Sequence, residues 1–297
     1  MIFIFWGCSN PPNVEMPDKP ISYEYEVSQS ISSLDIVAME EEVNDAIAQM
    51  RDNHSREIVE SYYDVMSYAD EQCPTSYEVD GNAFWYGYCY SEQGLSFDGY
   101  LFFNTYEEYD LFSDGTLWDA EIVNGSTTLY HESLGKNNYS GNAYLAQGVN
   151  EQGADVFLSA TQGSFLVEAA NDIQLQEGWS PWLTLYAFRQ DTALGAAKAL
   201  SVTGSLPYSG DHVGALSFSN MVTFNTLFGH PCPQEPTGTM SVRSSQGIWL
   251  DVEFDVTQEW QLIGECDGCG MATTQFGDTY EFCVDLEPLI LWEDSPW

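Results

Sequence analysis

Basic residues are scarce in this chain, whose 297 residues include only 7 lysines and arginines against 46 aspartates and glutamates. The formal net charge is therefore -39 at pH 7, and the few basic residues are scattered along the sequence. Because proteins bind nucleic acids and anionic lipid surfaces chiefly through clustered Lys and Arg, the composition argues against both partners. Cations and basic surfaces are the favoured partners; alternatively, the charge serves only solubility in salty or calcium-rich water.

Sequence motifs of the common enzyme classes are also missing. The chain has no HExxH, GxSxG, P-loop or GxGxxG pattern, and it contains 4 histidines. These patterns carry metal, acyl-transfer, nucleotide and dinucleotide chemistry. A binding or structural module is therefore favoured over an enzyme, although distant residues can still assemble a catalytic group.

The N-terminus is an apolar run, Met1 to Trp6, that ends in Gly7-Cys8 and is followed by a polar stretch. It resembles the lipobox of bacterial lipoproteins, in which a small residue precedes the cysteine that becomes lipidated. The resemblance implies export, cleavage before Cys8 and a lipid anchor on Cys8. Residues 1–8 would then be the remnant of a signal peptide whose start lies upstream. Ser9, in place of an aspartate, implies sorting to the outer membrane by analogy with the family.

Residues 9–32 are rich in proline and predict a tether that lifts the fold off the membrane. Residues 33–70 are predicted to be helical, because their apolar residues recur at three- and four-residue steps. The polar stretch 52–55 interrupts this pattern, so we expect two helices or one bent helix. The apolar stripe should pack on the β domain that follows, with a partner-binding helix as the alternative.

From residue 76 onward, short apolar and aromatic runs alternate with turn residues such as Asp114-Gly115, Asn124-Gly125 and Gln162-Gly163. Runs about ten residues apart, without helices between them, predict a mainly β fold: an antiparallel sandwich, barrel or meander. The clearest strand is Ile248–Val256, whose apolar and polar residues alternate. Residues 71–228 are expected to form this antiparallel β domain, and residues 229–297 a cysteine-rich β subdomain.

Apart from Cys8, the cysteines number six, which suits three disulfides formed in an oxidising compartment. They are Cys73, Cys89, Cys232, Cys266, Cys269 and Cys283. A disulfide between the first two would pin the helices to the first hairpin. The later four could form two disulfides or a zinc site, and export favours disulfides. The spacing of these four is similar to that in uncharacterised lipoproteins of environmental bacteria, which implies no function.

Three carboxylates, Asp251, Glu253 and Asp255, share the polar face of the clearest strand at a spacing of ~7 Å. The simplest interpretation is a solvated polar face. Because Ca²⁺ takes six to eight oxygen ligands, the array is also a candidate calcium site. Apart from this calcium ion, no cofactor is expected. A third interpretation is the carboxylate pair of a glycosidase, which requires a separation of about 5–9.5 Å.

Aromatic residues make up 14% of the chain, and Tyr86, Tyr88, Tyr90 and Tyr100 fall in the first predicted strands. Such residues either pack in the core or form an exposed face on which sugar rings stack. The sequence therefore predicts a lipid-anchored module of the cell envelope that binds a glycan or an envelope protein, or has a structural role. A glycan hydrolase using paired carboxylates and a calcium-dependent adhesion module are the alternatives.

Overall fold

A computed structural model describes residues 34–50, 54–79, 82–167, 182–208, 210–225, 232, 235–257 and 261–290. The predicted signal-peptide remnant, the tether and Cys8 lie outside the described residues.

The described chain forms two helices, one antiparallel sheet of 13 strands and a short third helix. Every strand of the sheet pairs with its neighbours in sequence. Of the predicted alternatives, this is the meander. The helices are α1 (Ile36–Met50), α2 (His54–Met66) and the short α3 (Glu287–Ile290) near the C-terminus. The strands are β1 (Thr75–Val79), β2 (Asn82–Tyr90), β3 (Ser96–Tyr109), β4 (Leu117–His131), β5 (Gly135–Val149), β6 (Asp155–Val167), β7 (Trp182–Thr192), β8 (Gly195–Pro207), β9 (Val213–Phe224), β10 (Thr237–Ser244), β11 (Trp249–Phe254), β12 (Cys269–Thr274) and β13 (Thr279–Cys283).

Both long helices bury their apolar stripes against the same face of the sheet, which we call the inner face. In α1, Met39, Val43 and Ile47 join a core formed with the later strands. In α2, Tyr62 stacks on Phe103 of β3, with ring centroids 4.4 Å apart. Both helices therefore pack on the β region. None of the helices in the described part of the chain combines the length and hydropathy needed to span a membrane.

The same sheet includes β9 and β10, on either side of the position where the sequence predicts that a cysteine-rich β subdomain begins. Strands β9 and β10 pair across this position, from Ala215 opposite Arg243 to Val222 opposite Thr237. The six cysteines from Cys73 to Cys283 form three disulfides, so their thiols are not available to bind zinc. The pairs are Cys73–Cys89, Cys232–Cys266 and Cys269–Cys283.

Two of the predicted turns are wrong, because Asn124-Gly125 and Gln162-Gly163 lie in the middle of β4 and β6. Gly141 of β5 pairs with both Gly125 and Gly163, so glycines line up across three strands. The backbones approach too closely there for a side chain, since a Cβ on Gly141 would lie 2.0 Å from the Gln162 carbonyl oxygen. These glycines allow close approach inside long strands, where sequence alone suggests hairpin turns.

Candidate functional site

The side chains of β2, β3 and β4 alternate between the helix-covered inner face and the opposite, outer face of the sheet. Trp85, Leu101 and Phe103 point inward and contact the α2 core. Tyr86 and Tyr100 lie opposite each other in the pairing of β2 and β3, and they point outward. The same alternation that buries the apolar residues therefore directs the neighbouring tyrosines to solvent.

Five outer-face tyrosines form an exposed group that we call the tyrosine face. Their exposed fractions are 43% for Tyr86, 66% for Tyr88, 62% for Tyr90, 46% for Tyr100 and 49% for Tyr130. Strand pairing places Tyr90 and Tyr130 on either side of Ser96, so the group spans three neighbouring strands. The sequence identified the first four tyrosines and missed Tyr130, whose strand has no apolar run.

Ring contacts link some members of the tyrosine face. Tyr88 and Tyr90 meet edge to face, with ring centroids 5.5 Å apart, and their hydroxyl groups share a hydrogen bond. That hydrogen bond, together with the nearby Tyr90 and Asp98, raises the pKa of the Tyr88 hydroxyl. Phe84 stacks beside Tyr100 at 6.5 Å and extends the aromatic surface along β2. These contacts restrict the rings of Tyr88, Tyr90 and Tyr100, so these side chains lose less freedom when a ligand binds.

From β2 to β9 the outer face is almost uncharged, although the chain carries 46 acidic residues. At its described positions from β2 to β9, the charged side chains are Asp98 and Lys136. The charged residues of β4 and β7 lie on the inner face instead. A neutral surface of this extent on so acidic a protein suits a partner that brings no charge of its own.

Small polar side chains continue the outer face beyond the tyrosines. Ser126 and Ser140 are exposed and follow Tyr86 and Tyr100 in register across β4 and β5. On one side of them, the Asn124 side-chain amide donates to the Asn142 side-chain oxygen. On the other side, the hydroxyl of Thr128 donates to the Asn138 side-chain oxygen at 2.8 Å. These groups can exchange hydrogen bonds with ligand hydroxyls, in addition to those that the tyrosine hydroxyls can make.

The inner face holds an acidic cleft between α2 and the strands, with a volume of about 670 Å³. Its carboxylates come from the end of β3 and the start of β4: Glu107, Glu108, Asp119 and Glu121. The Tyr63 hydroxyl donates to Glu121 at 2.6 Å. Burial, followed by this hydrogen bond, raises the pKa of Tyr63. The cleft and the tyrosine face lie on opposite faces of the same sheet, so one sugar ring cannot contact both.

The three carboxylates proposed for calcium lie on β11 and just beyond its end. Asp251 accepts a hydrogen bond from the Ser241 hydroxyl at 2.7 Å, and Asp255 accepts one from the Glu265 backbone N–H at 3.0 Å. Glu253 lies between them and is exposed. Across the described parts of the chain, no three His, Cys, Asp or Glu side chains are grouped so that they could hold a metal ion.

Glu235 is a buried acidic residue that no sequence motif marks, and it is 0% exposed. It accepts the backbone N–H groups of Asp255 at 2.9 Å and Asp267 at 3.1 Å. Burial raises the pKa of this carboxyl, while the N–H donors act in the opposite direction. Because Asp267 follows Cys266 of the Cys232–Cys266 disulfide, Glu235 organises the loops around that bond, which is a structural role.

Comparison with known proteins gives no relative for this arrangement: no family model, no curated protein and no solved structure matches the chain.

Proposed function

We propose that this protein is a lipid-anchored module of the bacterial cell envelope that binds carbohydrate through the tyrosine face. The observation that carries the proposal is the cluster of five exposed tyrosines in an almost uncharged part of the sheet. Sugar rings present C–H groups that pack on aromatic rings, and sugar hydroxyls hydrogen-bond with tyrosine, serine and asparagine side chains. Exposed tyrosines are enriched at interaction surfaces, because each offers an apolar ring and a polar hydroxyl.

Affinity electrophoresis tests the binding proposal. The protein is run in native gels containing glucomannan, xyloglucan, galactomannan or starch, and we expect at least one of them to retard it. Tyr88→Ala and Tyr100→Ala should each abolish most of that retardation, because each removes an exposed ring. Tyr109→Ala is the matched control, since Tyr109 is 54% exposed but lies at the far end of β3. Unretarded migration in all four gels would contradict the proposal.

The lipid anchor is the second part of the proposal, and the Gly7-Cys8 sequence supports it. Expressed in a bacterial host from an upstream start, the protein should incorporate labelled palmitate and fractionate with outer membranes. Cys8→Ser should abolish the label and release the protein from the membrane fraction. Equal labelling of both proteins would rule out Cys8 as the site of attachment.

A second candidate function is glycan hydrolysis in the acidic cleft. Asp119 and Glu121 lie two residues apart on the same face of β4, about 7 Å from each other, within the separation used by glycosidases. Prolonged incubation with the four polysaccharides would then release reducing ends, and Glu121→Gln would abolish the release. If the wild-type protein releases no reducing ends, the hydrolase candidate fails and the binding proposal is unaffected.

A further inference from the structure

We infer that the ligand of the tyrosine face is an uncharged polysaccharide whose contacts reach beyond the tyrosines to Ser140 on β5. This inference rests on the proposed carbohydrate-binding function and specifies its ligand class and its footprint. The structure offers three independent reasons for it: the register of the outer-face residues, the hydrogen bonds beside them and the distribution of charge.

The register forms a continuous row across the sheet: Tyr86, Tyr100, Ser126 and Ser140 are successive partners on β2, β3, β4 and β5. Neighbouring strands lie about 4.8 Å apart, so the row extends about 14 Å. All four side chains are exposed. The two serines are too short to obstruct a ligand that leaves the tyrosine rings, so a polymer can continue over them.

Hydrogen bonds on both sides of the row keep polar groups in fixed positions. The Asn124–Asn142 pair lies on one side, and the Thr128–Asn138 pair lies on the other. Each asparagine retains further donor or acceptor capacity after these bonds are made. A polysaccharide lying on the row would find hydroxyl-binding groups along both of its edges, and a single sugar on the tyrosines would not reach them all.

The distribution of charge selects an uncharged polymer. An anionic polysaccharide would be repelled, because the chain carries a net charge of -39. A cationic ligand would be drawn to the acidic cleft, or to Asp251 and Glu253 on the same face at β11, and not to the row. The part of the sheet whose charged side chains are Asp98 and Lys136 therefore favours binding of an uncharged ligand over a charged one.

The substitution Ser140→Arg tests the footprint, because a long side chain at that position would obstruct the row while every tyrosine is kept. The matched control is Ser133→Arg, which places the same side chain in the exposed turn between β4 and β5. Binding is measured by calorimetry with a size series of oligosaccharides from whichever neutral polysaccharide retards the protein. Thermal unfolding of each variant verifies that it is folded.

For the wild type and Ser133→Arg, affinity should rise with oligosaccharide length until the chain covers the row. For Ser140→Arg, affinity should stop rising at a shorter length and end about tenfold weaker for the polymer, a loss typical of a displaced polar contact. If Ser140→Arg binds like the wild type while Tyr100→Ala does not, the footprint is wrong and the proposed function stands. If Tyr100→Ala also binds like the wild type, both are wrong.

Charged polymers test the ligand class. We expect alginate, an anionic polysaccharide, not to retard the protein at any salt concentration. Chitosan, a cationic one, should retard it only at low salt and equally in Tyr100→Ala, because that binding is electrostatic and does not involve the row. Binding of the neutral polymer should change less than about twofold between low and high salt. Tighter binding to alginate or chitosan that is lost in Tyr100→Ala would overturn the inference of an uncharged ligand while leaving the tyrosine face as a binding site.

Discussion

The carboxylate of Glu42 in α1 accepts the backbone N–H of Val213 at 2.7 Å, across a sequence separation of 171 residues. The same carboxylate accepts the N–H of His212 at 3.1 Å, so it caps the start of β9. Glu40 makes a similar contact with the N–H of Cys283 on β13, at 2.7 Å. Acidic residues of the first helix thus satisfy backbone donors of distant strands, and part of the negative charge has a structural purpose.

We expect Glu42→Ala to lower the free energy of unfolding by about 1.5–3 kcal/mol, because it removes a charged acceptor from two N–H groups. Glu41→Ala, which removes an exposed carboxylate from the same helix, should change it by less than about 0.5 kcal/mol. Urea unfolding followed by tryptophan fluorescence measures both values. Equal effects of the two substitutions would mean that the contact with Val213 contributes nothing.

Gly141→Ala should destabilise the fold by at least about 2 kcal/mol through steric overlap and backbone strain. The φ angle of Gly141 is 147°, and the new methyl group would lie 2.0 Å from the Gln162 carbonyl oxygen. Gly153→Ala is the control: its φ angle is 75°, but no atom lies within 4 Å of the added methyl group. That change should cost about 1 kcal/mol, from strain alone. A loss for Gly141→Ala no larger than for the control would show that the strands separate without difficulty.

Strands β11 and β4 show which strands can be predicted from the sequence and which cannot. Strand β11, Trp249–Phe254, was predicted nearly to the residue because one of its faces is wholly apolar. Strand β4 was missed: its glycine and polar residues resemble a turn, and only pairing with β3 and β5 makes it a strand. The sequence predicts that Tyr86, Tyr88 and Tyr90 lie in a strand, and the structure shows that they share one face of it. Which face is exposed depends on where the helices pack, and local sequence does not contain that information.

Glu235 predicts a specific pH dependence of stability. A carboxyl whose pKa is raised in the folded state binds more protons folded than unfolded, so its contribution to stability falls as the pH rises above the ordinary value of 4.5. Glu235→Gln removes this dependence, although it also costs about 1–3 kcal/mol by replacing an acceptor oxygen with a donor. The variant's deficit relative to wild type should therefore shrink as the pH rises.

Urea unfolding of both proteins at several values from about pH 4 to about pH 8 measures this change in the deficit. Glu253→Gln, on the exposed face of β11, controls for the loss of one negative charge from the same region. A deficit for Glu235→Gln that stays constant across this range would contradict the raised pKa. A deficit that grows with pH would mean that the pKa of Glu235 is lowered in the folded protein. The N–H donors of Asp255 and Asp267 would then influence that pKa more than burial does.

The Cys73–Cys89 disulfide should stabilise the fold by about 3 kcal/mol, the chain-entropy value for a loop of this length. It joins the segment after α2 to β2, and Cys73 lies in the same buried cluster as Ile58 and Tyr62 of that helix. Cys73→Ala/Cys89→Ala should therefore lower the urea midpoint. It should also loosen α2 from the sheet, which hydrogen exchange of the α2 amides would report as faster exchange than in α1. If the double variant exchanges at wild-type rates in α2, packing of the helix alone holds it in place, and the disulfide has no part in positioning α2 on the sheet.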